Sequence, residues 1–252
     1  MKKEFTDEEK VLRLWDVEEV RKVLNRHSYY FSNEQREEEL DALWVKEPEN
    51  QKTAAFGVNT GYYVGMEEIR KFYVDYRRKQ RMEVLEKYHE AKGTPLDDEH
   101  LGLGCAAMHT ATTPLVYIAE DGKTAQFQGY QAGFQSMGKP DGTADSFMEL
   151  GLIHCDLIRE KDGWKIWHLE LERDHTFPVG ENYAAKEADP SWPDPLSADF
   201  GEPTDKRTVY DPFFGWEYMF QDMPRPYETM TDERSYGPEG NLGKPYYIRD
   251  PR

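Results

Sequence analysis

Three histidines lie in or just before the segments that are predicted to form β-strands: His109, His154 and His168. An imidazole titrates near neutral pH, so it can take up and return a proton under working conditions. Tyr29 and Tyr30 close a helical segment, and a phenol in an apolar wall is a good hydrogen-bond donor to a developing oxyanion. The sequence leaves open which of these two tyrosines points inward. The residue types favour general acid–base chemistry.

The sequence contains no motif for a nucleotide or zinc: G-x-G-x-x-G, the P-loop and zinc-ligand spacings do not occur. His154 and His168 lie at similar distances from the turn at 161–163, so we expect them to be neighbours. With His109 they would offer three nitrogen ligands, which keeps a metal-dependent oxygenase as the least favoured alternative. We predict no metal and no cofactor.

Helical spacing dominates the first 95 residues. Asp16 and Glu19 have the spacing of a capping box and predict a helix from Asp16 to Phe31. The further elements expected here are a helix over 34–44, a loop around Pro48, an extended segment over 53–64 and a helix over 66–91.

Strand patterns follow Pro95. Strands are predicted over 113–119, 124–137, 146–159 and 164–172, joined by three turns that each contain glycine. Helices followed by an antiparallel meander are typical of α+β proteins. Trp167, Leu169 and Leu171 form an apolar row on the last predicted strand, which predicts a homodimer or homotrimer.

Composition restricts the partners and the location. The net charge of −17 argues against nucleic acid or an anionic membrane as a partner, because both would repel the chain. Cys105 and Cys155 are too few and too far apart for a disulfide framework. The first residues show no secretory signal and no apolar run spans a bilayer, so we expect a cytoplasmic protein.

Four blocks of sequence carry a resemblance that covers roughly residues 12–178. They are Arg26–Tyr30 at the end of the first helix, Gly65–Ile69, Met108–Ile118 followed by Asp121–Ala125, and Asp156–Arg159 followed by Asp162–Ile166. In this combination the sequence resembles the NTF2-like superfamily, and its SnoaL-like branch in particular. Relatives in that superfamily include ketosteroid isomerases, polyketide cyclases, scytalone dehydratase and bile-acid 7α-dehydratase.

The resemblance implies an α+β fold: a cone-shaped half-barrel in which a curved antiparallel sheet wraps around N-terminal helices and leaves a pocket. Residues 1–183 would form this domain. Residues 184–252, which are rich in proline and tyrosine, would form an extended tail that packs on the domain or on a neighbouring subunit. The implied function is a cofactor-free lyase or isomerase, for instance a dehydratase. The alternative is a non-catalytic ligand-binding or assembly subunit, since one fold hosts many functions.

Site roles also follow from the resemblance. His109 stands at the position of the catalytic histidine in dehydratase members, and Tyr29 or Tyr30 matches a tyrosine that polarises a carbonyl or hydroxyl. Those members commonly carry an aspartate after the tyrosine, whereas this chain has Phe31-Ser32-Asn33-Glu34. Glu34 replaces it only if the alignment slips by two residues. We therefore expect His109 to act as the base, helped by His154 or His168.

The expected ligand is a small aromatic, steroid or polyketide-like molecule, because aromatic-lined cavities suit flat apolar compounds. Arginines on the long helix, Arg70, Arg77 and Arg78, offer partners for an anionic group on such a ligand, but a solvent-facing helix surface is the favoured interpretation of the three. The predicted substrate-binding residues are Trp44, Tyr62, Phe127, Tyr130, Asp156 and Arg70.

Overall fold

The computed structural model describes residues 4–58, 61–139, 144–179, 205–206 and 223–240. The predicted domain boundary at 183/184 lies outside the described residues, as does most of the predicted tail.

The first helix, α1 (Asp7–Ser32), begins well before the predicted start at Asp16. Thr6 is its N-cap: the Thr6 hydroxyl accepts a hydrogen bond from the Glu9 N–H, and the Glu9 carboxylate accepts one from the Thr6 N–H. The predicted start was wrong because this true capping box has the same spacing as Asp16 and Glu19. Asp16 instead lies inside α1, where its carboxylate accepts a hydrogen bond from Trp164 Nε1 at 3.2 Å.

Three helical segments follow. α2 (Arg36–Leu43) lies within the predicted range, whereas α3 (Pro48–Thr53) replaces a predicted loop. Proline at the first turn of α3 favours a helix start, because its ring presets φ and its missing N–H needs no partner there. The long helix is confirmed. It comprises α4 (Met66–Arg70), a π-helical segment (Lys71–Tyr76) and α5 (Arg77–Lys92), and it ends at Gly93 with φ 71°.

The strands form one open sheet. In chain order they are β1 (Ala55–Val58), β2 (Gly61–Val64), β3 (Ala106–Ile118), β4 (Thr124–Gly138), β5 (Ala144–Glu160), β6 (Gly163–Pro178) and β7 (Asp205–Lys206). The spatial order is β3-β4-β5-β6-β1-β2-β7, so β3 and β7 are the edges. The antiparallel meander from β3 to β6 confirms the predicted hairpins and the α+β class. The sheet is mixed rather than wholly antiparallel, because β1 runs parallel to β6.

The inner face of the sheet packs against α1 and α2 and forms the main core, with Leu24 and Trp44 from the helices and Phe127 from β4. Leu169 and Leu171 lie in this core. The apolar row on β6 is therefore covered by the chain's own helices. The predicted oligomer stays a prediction. No helix within the described residues combines the length and the apolar character needed to cross a bilayer.

The outer face of the sheet carries residues 223–240. The backbone N–H groups of Glu120 and Asp121 donate to the carbonyls of Tyr227 and Glu228 at 2.9 and 3.1 Å. Tyr236 is fully buried and stacks on His154, with ring centroids 4.7 Å apart. This segment, called the C-terminal segment below, therefore shields part of the outer face from water.

Candidate functional site

His109 lies in β3 with its side chain turned inward, toward the end of α1. The residue is only 6 % exposed, and its ring meets that of Phe31 edge-on, with centroids 4.4 Å apart. The His109 N–H donates to the Ser32 hydroxyl at 3.4 Å. The last turn of α1 thus covers the imidazole and separates it from bulk water.

A row across three strands brings His109 close to a carboxylate. His109 in β3 pairs with Gly133 in β4, and Gly133 pairs with Glu149 in β5, so all three residues share one face of the sheet. His109 Nε2 lies 3.5 Å from Glu149 Oε2, and Glu149 is 1 % exposed. A β-carbon on Gly133 would lie 3.2 Å from His109 Nδ1. The missing side chain of Gly133 is what lets the imidazole reach across β4.

Two glutamines of β4 complete the surroundings of the imidazole. The amide nitrogen of Gln131 contacts His109 Nδ1. The amide nitrogen of Gln135 lies 3.3 Å from His109 Nε2 and donates to Glu149 Oε2 at 3.4 Å. A carboxylate beside Nε2 favours the tautomer with its proton on Nε2, which leaves Nδ1 to accept from the Gln131 amide. Nδ1 is then the basic atom.

A small hollow adjoins His109 on the side of Gln131. It is lined by His27, Ser28, Phe31, His109, Thr110, Gln131, Ile153 and Leu171. The hollow is closed in this conformation and has no room for a molecule the size of water. A ligand can therefore enter only after neighbouring side chains move.

A second buried network fixes the helices around the hollow. Glu39 of α2 accepts hydrogen bonds from the Tyr73 hydroxyl at 2.8 Å and from Trp44 Nε1 at 3.4 Å, and its Oε1 lies 2.8 Å from His27 Nδ1. Burial, together with the nearby Glu39 carboxylate, raises the pKa of Tyr73 well above its usual value. The phenol therefore stays protonated and remains a donor. Trp44, predicted to contact substrate, belongs to this network.

His154 and His168 lie on the outer face, away from His109. His154 is fully buried, with its Nε2 3.1 Å from the Gln128 amide nitrogen and its Nδ1 3.7 Å from Glu170 Oε2. Burial lowers the pKa of His154 to about 3, so the ring is neutral at pH 7. Such a ring behaves as a packed polar group, which does not suit a helper of His109.

His168 lies on the outer face because the ladder between β5 and β6 shifts register between Asp156 and Leu157. Simple alternation along the sequence placed His168 on one face with Trp164 and Ile166. That placement was wrong: Ile166 lies in the main core, whereas His168 contacts Asp156 and the C-terminal segment. The three histidines therefore do not converge. His154 and His168 were expected to be close neighbours. They lie on the same outer face but are diagonal to each other, because His154 pairs with Glu170 and His168 pairs with Asp156.

Asp156, predicted to contact substrate, anchors the C-terminal segment instead. Its carboxylate accepts hydrogen bonds from the Ser235 hydroxyl at 2.8 Å, from the Tyr236 N–H at 2.6 Å and from the Gln126 amide at 3.1 Å. Ser235 Oγ and Asp156 Oδ2 both contact His168 Nδ1, while His168 Nε2 faces the Thr53 carbonyl at 3.2 Å. A hydrolase triad needs serine and carboxylate on opposite nitrogens. This set is structural.

The structure spreads the remaining predicted site residues over several regions. Tyr29 is 73 % exposed, and Tyr30 is half-buried with its hydroxyl accepting from Arg26 at 3.2 Å. Phe31, the next residue, is the one that contacts the imidazole. Tyr62 and Phe127 are buried outside the lining of the hollow, Tyr130 is 44 % exposed, and Arg70 pairs with Glu37 on the surface.

Sequence reasoning missed Glu149, Gln131 and Gln135 as partners of His109. A signal was present, because Gln131, Gly133 and Gln135 alternate along β4 and so share one face of a strand. Two amides and a glycine in the middle of an otherwise apolar buried face are unusual enough to indicate a buried polar site. Glu149 has no such local signal, since only the register of β4 with β5 brings it next to Gly133.

The fold and this site define an α+β protein in which an open, mixed sheet packs on the N-terminal helices, with a buried histidine–glutamate pair between the first helix and the sheet. Residues 12–170 match the SnoaL-like domain family, and the chain belongs to that family. The match runs from within α1 to the middle of β6, and so includes His109, Gly133 and Glu149.

The chain is also similar to solved structures at low identity. One is the hexachlorocyclohexane dehydrochlorinase LinA-type3 from Novosphingobium barchaimii, at 13 % identity and a TM-score of 0.46, over 69 % of this chain and 97 % of that one. Another is an NTF2-like protein with a cystatin-like fold from Novosphingobium aromaticivorans, at 18 % identity and a TM-score of 0.42, over 73 % and 96 % of the two chains. Comparison with curated proteins gave no match.

Proposed function

We propose that the protein is a cofactor-free lyase or isomerase in which His109 is the general base. One observation carries the proposal: the imidazole is buried beside a carboxylate, at 3.5 Å, and borders the hollow. A buried imidazole with a carboxylate on one nitrogen is a proton acceptor on the other, because the carboxylate stabilises the imidazolium that forms.

The reaction begins when Nδ1 of His109 removes a proton from a carbon of the substrate. The electron pair of that C–H bond then forms a carbon–carbon double bond. In a lyase the neighbouring leaving group departs with its own bonding pair; a departing hydroxide takes the proton from His109 and leaves as water. In an isomerase His109 returns the proton to a different carbon. The amide of Gln131, which contacts Nδ1 here, moves aside to admit the substrate.

In this proposal Glu149 supplies the negative charge that dehydratase members commonly obtain from an aspartate after the tyrosine of the first helix, which this chain lacks. It lies on β5, so its position depends on strand register and not on the residue that follows Tyr30. Its assigned role is to hold the Nε2–H tautomer and to stabilise the imidazolium. We infer a small, mostly apolar hydroxylated substrate, aromatic, steroid or polyketide-like, one end of which enters the hollow beside Phe31 and Ile153.

A turnover screen with small hydroxylated aromatics and steroids tests the proposal. For any compound that is converted, His109→Ala should lower kcat at least about a hundredfold, the usual contribution of general acid–base catalysis. Glu149→Gln should lower kcat with little effect on KM, because it stabilises a charge that forms only during reaction. His100→Ala is the matched control, since His100 lies outside the sheet, is half-buried, and its imidazole pairs with Asp97 at the surface. Full turnover by His109→Ala rejects the assignment.

A non-catalytic ligand-binding or assembly role is the second candidate. The observation that favours it is that the hollow is closed, with Phe31 packed directly on the imidazole. If this role is correct, compounds bind without conversion, and His109→Ala changes affinity alone.

A further inference from the structure

A second concave site lies beside the histidine–glutamate pair, between α5 and the ends of β3 and β4. This cleft encloses about 440 Å³, part of it open to solvent. Its polar lining includes three arginines, Arg36, Arg77 and Arg81, together with Glu34 and Gln135. The chain as a whole has a net charge of −17, but three guanidinium groups surround this one cleft. This local cluster of positive charge favours the binding of an anion.

Arg36 is the most informative of the three arginines. It is only 4 % exposed, and its guanidinium lies 3.8 Å from the centre of the Phe31 ring. Its Nε donates to Glu34 at 3.1 Å, whereas its Nη2 has no hydrogen-bond partner in the described part of the chain. A buried guanidinium donor without a partner is costly. The bound form of this site is expected to satisfy that donor.

Glu34 orients the arginines but does not neutralise their combined positive charge. Its carboxylate also pairs with Arg81, at 2.6 Å. Burial alone would raise the pKa of Glu34, but Arg36 and Arg81 lower it overall, so the group is ionised. The lining of the cleft holds three arginines and one carboxylate, that of Glu34. Glu34 has φ 58°, a left-handed backbone conformation that is unfavourable for a residue with a β-carbon. The arginine pairs offset that strain and hold the guanidinium groups in place.

The lining also has an apolar part, with Val84, Ala107 and Met137 beside the polar Gln80 and Ser136. A bare inorganic anion would leave this surface in water. Guanidinium groups bind planar carboxylates with two parallel hydrogen bonds, and apolar walls suit a hydrocarbon body. We propose that the cleft binds a small organic carboxylate, with the carboxylate on Arg36, Arg77 and Arg81 and the apolar part against α5 and β3.

The two sites are adjacent but distinct. Gln135 lines the cleft and also contacts His109 Nε2, and the Phe31 ring separates Arg36 from the imidazole. Carboxylate binding does not depend on the catalytic role assigned to His109. His109→Ala is therefore expected to bind the carboxylate like the unmodified protein, and the two proposals can fail separately.

Isothermal titration calorimetry of the full chain tests the site, with benzoate as probe, benzyl alcohol as its uncharged analogue and inorganic phosphate as the bare anion. Benzoate should bind, benzyl alcohol should not, and phosphate should bind at least about tenfold more weakly. Arg81→Gln and Arg77→Gln should each weaken benzoate binding about tenfold or more, the effect of losing a charge-assisted hydrogen bond. Arg81→Lys should recover only part of the affinity, since an ammonium lacks the fork geometry.

Arg78→Gln is the matched control: Arg78 lies on the same helix but pairs with Asp98 at the surface and does not line the cleft. Its benzoate affinity should equal that of the unmodified protein. Circular dichroism checks that each variant is folded, which matters most for a variant of buried Arg36. No benzoate binding at millimolar concentration overturns the proposal. So does equal binding of benzoate and phosphate, or equal loss in Arg78→Gln and Arg81→Gln.

Discussion

Glu149 Oε2 lies 3.5 Å from His109 Nε2, although two strand-to-strand steps separate their backbones. The approach is possible because Gly133 lies between them and leaves the space above β4 free. The carboxylate partner of the histidine thus comes from the sheet, and the helix that ends in Tyr29 and Tyr30 contributes Phe31 as a cover.

Gly133→Ala tests this arrangement directly. The new methyl group would lie 3.0 Å from the Met108 carbonyl and 3.2 Å from His109 Nδ1, both tighter than ordinary contacts. We expect a loss of about 1–3 kcal/mol in the free energy of unfolding, typical of overpacking, and a loss of any activity that depends on His109. Urea denaturation gives the first quantity. Gly102→Ala is the control, since a β-carbon there meets nothing closer than 3.6 Å. Equal stability of the two variants would contradict the role assigned to Gly133.

Two buried tyrosines form a matched pair for the network at Glu39. Tyr73 donates to Glu39 at 2.8 Å, whereas the hydroxyl of Tyr63 is buried with no hydrogen-bond partner in the described ranges. Tyr73→Phe should cost about 1.5–3 kcal/mol, because it removes a hydrogen bond to a charged group. Tyr63→Phe should cost nothing measurable or should stabilise the fold, because it removes an unsatisfied hydroxyl. Chemical denaturation of both variants measures the change in the free energy of unfolding. A larger loss for Tyr63→Phe than for Tyr73→Phe would contradict the hydrogen-bond network at Glu39.

His154 predicts a specific pH dependence of stability. Its pKa is about 3 in the folded protein because of burial, and about 6.5 in the unfolded chain. Between these values the unfolded chain binds the extra proton, so stability falls as the pH drops below the unfolded pKa. The lost stability between pH 7 and pH 5 is about 2 kcal/mol for this group alone.

His154→Gln isolates the contribution of that histidine together with its coupling to Glu170, which lies 3.7 Å from Nδ1. The urea midpoint of the variant should fall less between pH 7 and pH 5 than that of the unmodified protein. Parallel slopes for the two proteins would mean that the imidazole takes up its proton without unfolding.

The C-terminal segment should contribute strongly to stability. Tyr236 is fully buried on His154, so Tyr236→Ala is expected to cost about 3–5 kcal/mol, as for other large buried aromatic residues. Met223→Ala, at the exposed start of the same segment, is the control and should have almost no effect, because Met223 is 63 % exposed. A loss below about 0.5 kcal/mol for Tyr236→Ala, the range of ordinary surface changes, would mean that the segment is not bound in solution.

Local patterns predicted the architecture well. The glycine turns and the alternating strands placed the meander from β3 to β6, and the apolar stripe placed the helix from Met66 to Lys92. Boundaries were less accurate where two equivalent signals compete, as with Thr6 and Asp16 at the start of α1. The site was predicted only in part. His109 is placed by its own strand, but Glu149 reaches it through pairing between distant strands, which residue spacing does not encode.

His168 shows the same limit at a single residue. Strict alternation along β6 assigns it to the inner face, and one register shift at Trp167 moves it to the outer face. The spacing of polar and apolar residues over 164–169 does not predict the register shift. The partners of His168, Asp156 and Ser235, come from a neighbouring strand and from far along the chain.

The burial of Asp156 by residues 235 and 236 has a consequence for biosynthesis. The ribosome releases the sheet well before it has made the residues that cover the outer side, since chains emerge from their N-terminus. For that interval the outer side of the new sheet, with Asp156 and two imidazoles, faces water. A ribosome-stalled chain that has extruded residue 180 but not residue 235 should therefore be digested by protease faster than one that has extruded residue 240.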